Sequence, residues 1–342
     1  MRVAIVNDSL LAREVIRRSV LVRPDVTIAW VATNGAEAIE RCCKDRPDLI
    51  LMDLVMPDVD GVTATARIMH DCPCPILIVT VSINRNTTPA FAAMGAGAID
   101  VMALPANWRH GNELLQKISQ IERLHRPLPF RARPRSPASS GPQPGMPLIL
   151  IGASAGGPAA LAELLGALPE GFAAGIVLAQ HLDTRFADEF IRWLQKQTPL
   201  RVRCARQDDT VETGTVLVSA ENRNLVFREN GLLGYTHEPA SYHVPSIDAL
   251  FFSANGLPNS YLAAVLLTGM GADGAAGLKA LRDAGHLTIA QDETSSALYG
   301  MPRAAAQIGA ACEILPLARI APRLKMFCRM SYDAHGNRTD WT

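Results

Sequence analysis

Short apolar runs alternate with helix-period stretches along most of the chain. In the first half the runs Val3–Val6, Thr27–Ala32, Leu49–Met52, Ile76–Val79 and Ile99–Met102 lack in-and-out alternation. That is the pattern of strands buried on both faces. Helical patterns lie between them, near Leu10–Leu21, Gly35–Lys44, Gly61–His70, Pro89–Met94 and Asn112–Arg123. From about Leu124 to Pro147 the periodicity gives way to proline, serine, glycine and arginine. Such a stretch predicts a linker, and Arg131, Arg133 and Arg135 within it are read as solvating charges. Alternation then resumes, with buried runs at Leu148–Ile151, Gly175–His181 and Ala263–Leu267. Helical patterns follow from Pro158, over Phe186–Gln197 and over Ala275–Asp283. The expected class is α/β, with two doubly wound parallel-sheet domains over 1–123 and 148–342 and a linker over 124–147.

Open parallel sheets present their chemistry beyond the carboxyl ends of the strands. In the second half Ser154, His181 and Asp273 each stand just past such an end, Ser154 and Asp273 in glycine-rich turns. A serine hydroxyl needs an adjacent base, imidazole is one near neutral pH, and a carboxylate fixes its tautomer. Each residue also has a plain structural explanation. Ser154 and Asp273 suit helix N-caps, and His181 suits a half-exposed loop. His237, His243 and His286 are rival imidazoles, ranked lower because they do not end a buried strand. Gly152-x-Ser154-x-Gly156 matches the elbow of α/β-hydrolases, yet those run Ser, Asp/Glu, His, whereas this chain runs Ser, His, Asp. In the first half Asp8 and Asp53 fall at strand ends and Thr80 ends a third strand. Two carboxylates there suit Mg²⁺, with Asp53 as an acceptor of a phosphoryl group.

Composition narrows the function classes. The 342 residues carry 33 basic and 33 acidic side chains, so no overall field draws the chain to nucleic acid or a membrane surface. No helix-turn-helix pattern, basic face or run of stacking aromatics suggests nucleic-acid binding. The apolar opening Val3–Val6 is too short for a signal sequence, and no segment reaches the length of a membrane span. Seven scattered cysteines without zinc or redox spacing predict reduced, structural thiols in a cytoplasmic protein.

Leu49 through Gly61, with Asp53 at its centre, resembles the phosphoacceptor segment of a response-regulator receiver domain of flavodoxin-like fold. The resemblance implies phosphorylation at Asp53, a metal site at Asp8 and Asp53 beside Asn7, and phosphate sensing by Thr80. Three places depart from that pattern. Asn7-Asp8 replaces two acids, Leu104 stands where the family has lysine, and Val101 where it has an aromatic.

Ile151–Gly157, Gln180-His181, Leu267–Gly277 and Pro245–Phe251 resemble motifs of the CheB-type protein-glutamate methylesterases, a chemotaxis response-regulator family. The Val6-Asn7-Asp8 opening, the missing lysine and Ile151–Gly157 look most like the WspF subgroup. One local departure is Ala155, where the chemotaxis members often carry threonine. The resemblance implies hydrolysis of γ-glutamyl methyl esters, and deamidation of glutamine, on the cytoplasmic domain of methyl-accepting chemoreceptors. It implies catalysis by Ser154, His181 and Asp273, and no cofactor for the hydrolase. Met270 reads as a wall residue whose backbone N–H, with that of Ala155, would form an oxyanion hole. It also implies Mg²⁺ in the receiver, phosphorylation by a CheA-type histidine kinase, and a receiver that gates access to the active site. Two rivals remain at this point. A non-catalytic phosphoryl-sink adaptor would be indifferent to Ser154→Ala, and a small-molecule esterase would turn over soluble esters without any receptor.

Overall fold

The computed structural model describes residues 1–81, 87–105, 107, 112–124, 146–238, 244–257 and 261–333. The expectations placed on Arg131, Arg133, Arg135 and His243 lie outside them. The chain divides into two units, Met1–Pro127 and Leu128–Thr342.

The first unit runs β1 (Arg2–Val6), α1 (Leu10–Val20), β2 (Thr27–Ala32), α2 (Gly35–Lys44), β3 (Leu49–Met52), α3 (Gly61–Asp71), β4 (Ile76–Thr80), α4 (Thr87–Gly95), β5 (Asp100–Ala103) and α5 (Asn112–Leu124). The strands form one parallel sheet in the order β2-β1-β3-β4-β5. Residues 3–6, 49–52 and 76–80 are all buried, as their unbroken apolar runs require. Polar side chains start the helices: Ser9, Asn34 and Asp60 accept from the N–H groups of Ala12, Glu37 and Thr63.

The cysteines depart from expectation. Cys43, at the end of α2, is bonded to Cys72, just past α3, with Cα atoms 5.4 Å apart. The two are 29 residues apart in sequence, so spacing rules that compare near neighbours do not pair them. Cys42 and Cys74 stay free and buried.

The second unit runs β6 (Leu148–Ala153), α6 (Gly157–Gly166), β7 (Gly175–Gln180), α7 (Ala187–Gln195), β8 (Arg201–Cys204), β9 (Thr215–Val218), β10 (Asn224–Phe227), β11 (Leu233–Thr236), α8 (Ile247–Ala254), β12 (Leu262–Leu266), α9 (Ala275–Asp283), β13 (Leu287–Gln291), α10 (Met301–Gln307), β14 (Glu313–Leu315) and α11 (Leu317–Asp333). Seven strands form a parallel sheet in the order β14-β13-β12-β6-β7-β9-β8, and β10 and β11 pair as an antiparallel hairpin. On one face of the sheet, Leu150, Val177, Leu217 and Leu266 pack with Phe251 of α8 and Leu278 of α9. The helix expected from Phe186 begins as a 3-10 turn over Thr184–Phe186, because Asp183 caps it from outside. Among the described residues no helix is long and apolar enough to cross a membrane.

Candidate active site

β6 occupies the middle of its sheet, with β12 on one side and β7 on the other. Ala153 pairs with Gln180 of β7, and Gly152 with Leu266 of β12. The ladder continues past these ends. His181 N–H donates to the Ala153 carbonyl at 3.0 Å, and Ser154 N–H donates to the Thr268 carbonyl at 3.0 Å. Ser154 therefore stands between the His181 backbone and the β12 exit, about one strand spacing (~4.8 Å) from each. Gln180 fastens both sides, its Nε2 donating to the carbonyls of Ser154 and His181.

The N-cap of α6 is Gly156, in the left-handed region at φ 74°, with no side-chain cap. Ser154 therefore does not cap α6, and its hydroxyl is left for other work. A Cβ on Gly156 would lie 2.5 Å from that of Ala297, besides adopting a strained φ. Gly269 is constrained by contact instead, since a Cβ there would come within 2.6 Å of Ser154 Cβ and 2.5 Å of Met301 Sδ. Gly269→Ala is expected to displace Ser154, and a lowered thermal midpoint of the variant measures the strain.

His181 Nε2 lies 2.8 Å from Asp273 Oδ2, with both side chains about nine-tenths buried. A carboxylate only accepts, so this bond assigns the ring proton to Nε2 and the lone pair of the neutral ring to Nδ1. Asp273 is not the N-cap of the helix that follows it, since Gly274 holds that place. Its carboxylate reaches across to the start of α8, accepting from the N–H groups of Ile247 at 2.8 Å and Asp248 at 3.0 Å. Ser246 Oγ and the Gly274 N–H complete the cradle at 3.1 Å each. Burial alone would raise the Asp273 pKa, but the His181 ring and the α8 N–H groups outweigh it and hold it at about 2.

Ser246 and Asp248 lie in the Pro245–Phe251 segment noted above, but the sequence assigns neither a role beside Asp273. The available signal was Ser246 preceding an apolar helical run, since it caps α8 by accepting from Ala249. The rival imidazoles stand elsewhere. His237 is exposed after the hairpin, and His286 precedes β13 at the amino edge of the sheet, its pKa lowered by burial. Ala155 and Met270 are buried in the two turns around Ser154, and among the described residues no backbone carbonyl accepts from their N–H groups.

In the first unit Asp53 leaves β3 with its N–H on the Val6 carbonyl. Its carboxylate is 6% exposed and accepts from Asn7 Nδ2 at 2.9 Å and the Leu54 N–H at 2.7 Å. Burial, then the nearby Asp8 charge, push it up to about 6 against those bonds. Two like-charged carboxylates, one exposed and one buried, form a donor set that fits a hard divalent cation. Among the described residues no cluster of three or more His, Cys, Asp or Glu occurs that would hold a metal, so an ion there would keep much of its water. Thr80 ends β4 and is buried, and its carbonyl accepts from the Leu104 N–H at 2.8 Å.

The CheB methylesterase family model matches residues 149–324, and the response regulator receiver model matches residues 3–120. The chain belongs to the CheB methylesterase family. It is 49% identical to the protein-glutamate methylesterase/protein-glutamine glutaminase of Mesorhizobium japonicum, across 97% of this chain and 100% of that protein. With Pseudomonas fluorescens protein-glutamate methylesterase/protein-glutamine glutaminase 1 it shares 50% identity, across 95% of this chain and 98% of that one. The Thermotoga maritima CheB methylesterase catalytic domain matches with a TM-score of 0.51 at 28% identity, covering 53% of this chain and 98% of that one. The expected α/β class is thus that of the CheB family, a receiver followed by a methylesterase domain. Within that CheB-type domain, Ser154 and His181 directly follow the central strand β6 and its neighbour β7, and Asp273 stands on the connection from the other neighbour, β12, to α9.

Proposed function

We propose that this CheB-family chain is a protein-glutamate methylesterase and protein-glutamine glutaminase acting on the cytoplasmic domain of methyl-accepting chemoreceptors. One observation carries the reading: the 2.8 Å His181–Asp273 pair joins the chain leaving the two strands that flank β6, and Ser154 directly follows β6. Ser154 Oγ attacks the γ-ester carbonyl while His181 Nδ1 takes its proton. The tetrahedral oxyanion is held by the N–H groups of Ala155 and Met270, each such donor being worth about 3 kcal/mol. Collapse of the intermediate breaks the acyl–oxygen bond, and the imidazolium returns the proton to departing methanol. Water, deprotonated by the same ring, then cleaves the acyl-enzyme to free the glutamate carboxylate and Ser154. With glutamine the leaving group is ammonia. Mass spectrometry of a methylated receptor fragment tests the proposal: the enzyme removes one methyl group per site, and an unchanged fragment rejects it.

The receiver unit supports regulation by phosphorylation at Asp53, from a CheA-type histidine kinase in the cytoplasm. Asp8 and Asp53 would hold Mg²⁺, which neutralises charge on the phosphoryl group being transferred. Leu104, where the family pattern has lysine, withholds the cation that would pair with the phosphate, and Val101 replaces an aromatic. The missing lysine, the Val6-Asn7-Asp8 opening and Ile151–Gly157 favour placement in the WspF subgroup. Asp53→Asn is expected to abolish labelling by radioactive acetyl phosphate, because the amide is no nucleophile. Equal labelling of the variant would remove Asp53 from the scheme.

A further inference from the structure

Two helices start side by side in the methylesterase unit, and each is closed by a carboxylate from the other. Asp273, just before α9, accepts from the first N–H groups of α8. Asp248, in the first turn of α8, accepts from the Gly277 N–H in the first turn of α9 at 2.7 Å. Neither acid can shift without breaking first-turn hydrogen bonds of the opposite helix. We propose that Asp248 is a positioning residue for the triad, holding Asp273 against His181 through this crossed capping. The inference rests on the hydrolase reading above.

Capping alone does not call for a carboxylate. Asn or Ser would satisfy α9 without setting a second negative charge behind Asp273. That second charge has a cost: burial and Asp273 push Asp248 up to about 6. Its effect falls on His181, since a negative charge behind Asp273 favours the imidazolium that forms as Ser154 attacks. Other charges near α8 are engaged elsewhere. On α9, Lys279 pairs with Asp283, and Arg282 donates to the carbonyls of Gly309 and Ala311. Strands β6, β7 and β10, which also pack against α8, carry no charged side chain. Among the described residues, the hydrogen-bonded charge system is His181, Asp273 and Asp248.

The test compares full-length wild type, Asp248→Asn and Asp248→Ala. It follows methanol release from a methylated receptor fragment across pH, and the low-field ring N–H resonance of His181 in protein with isotope-labelled histidine. Asp248→Asn keeps an oxygen acceptor for Gly277, so kcat should stay within about threefold. Its acid limb in kcat/KM should move to lower pH, because removing the negative charge lowers the imidazole pKa and keeps the base neutral further into acid. Asp248→Ala should lose kcat at least about tenfold at unchanged KM, and lose the resonance with it. Wild-type kcat and an intact resonance in Asp248→Ala would overturn the proposal, as would an unmoved acid limb in Asp248→Asn. If the alanine variant does not fold, the asparagine variant decides alone. Failure of the hydrolase reading is distinguishable: wild type would then release no methanol, while the resonance would still report how Asp273 is held.

Discussion

Ser154→Ala is expected to reduce methanol release from a methylated receptor fragment by about 10⁴-fold or more, with the thermal midpoint unchanged. The size follows from losing the nucleophile of the proposed Ser-His-Asp unit, since in such a coupled unit removal of one member costs nearly as much as removal of all. The unchanged midpoint follows from the cap. Were Ser154 the N-cap of α6, alanine would cost about 1 kcal/mol, visible as a drop of about 3 °C in a domain of this size. Gly156 holds that position, and no side chain caps α6. Activity and stability therefore separate at this residue. A variant that keeps turnover rules out the nucleophile, and a variant that loses stability reinstates the cap.

Asp273 is expected to behave differently, because its carboxylate both orients His181 and closes α8. Asp273→Asn should lower kcat by about 10⁴-fold, since an amide nitrogen facing Nε2 forces the other tautomer. Its oxygen still accepts from the Asp248 N–H, but the Ile247 N–H, which shares Oδ2 with His181, loses its acceptor, so stability should fall by about 2 kcal/mol. Asp273→Ala strips the cradle and should cost about 3 kcal/mol in urea denaturation. The pH dependence has a definite sign. Asp273 is depressed from 3.8 to about 2, so its charge stabilises the fold above the unfolded value. That contribution, roughly 2 kcal/mol, fades as pH falls from about 4 towards 2. The stability gap between wild type and Asp273→Asn should narrow over that window, and a constant gap would contradict the assignment.

Much of this was readable from the chain before any coordinates. Unbroken apolar runs such as Leu49–Met52 and Leu148–Ile151 declare strands covered on both faces, and the few residues after each run reach a carboxyl edge by arithmetic. The neighbours of each strand are harder. Periodicity carries no record of crossover direction, so nothing in the runs places β12 beside β6 and β7 on the other side. Local capping rules also misled in an instructive way. They offered Ser154 and Asp273 as caps of the helices they precede, but both helices take glycine there, at φ 74° and 85°. Asp273 does cap a helix, one that begins 26 residues earlier, with Ile247. A long-range bond of that kind leaves no mark in a local window. Cys43 and Cys72 make the same point, because only the packing of α2 beside α3 brings them together.

The strand order has a bearing on synthesis. Asp273 is encoded 92 residues after His181, and it arrives with β12, which slots between β6 and β13. A nascent or clipped chain ending before Leu262 carries the hydroxyl and the ring but lacks the acid and the Thr268 carbonyl that anchors the Ser154 amide. Such fragments should be catalytically silent, so that ester cleavage begins only once the ribosome has delivered a late strand to the interior of an already started sheet.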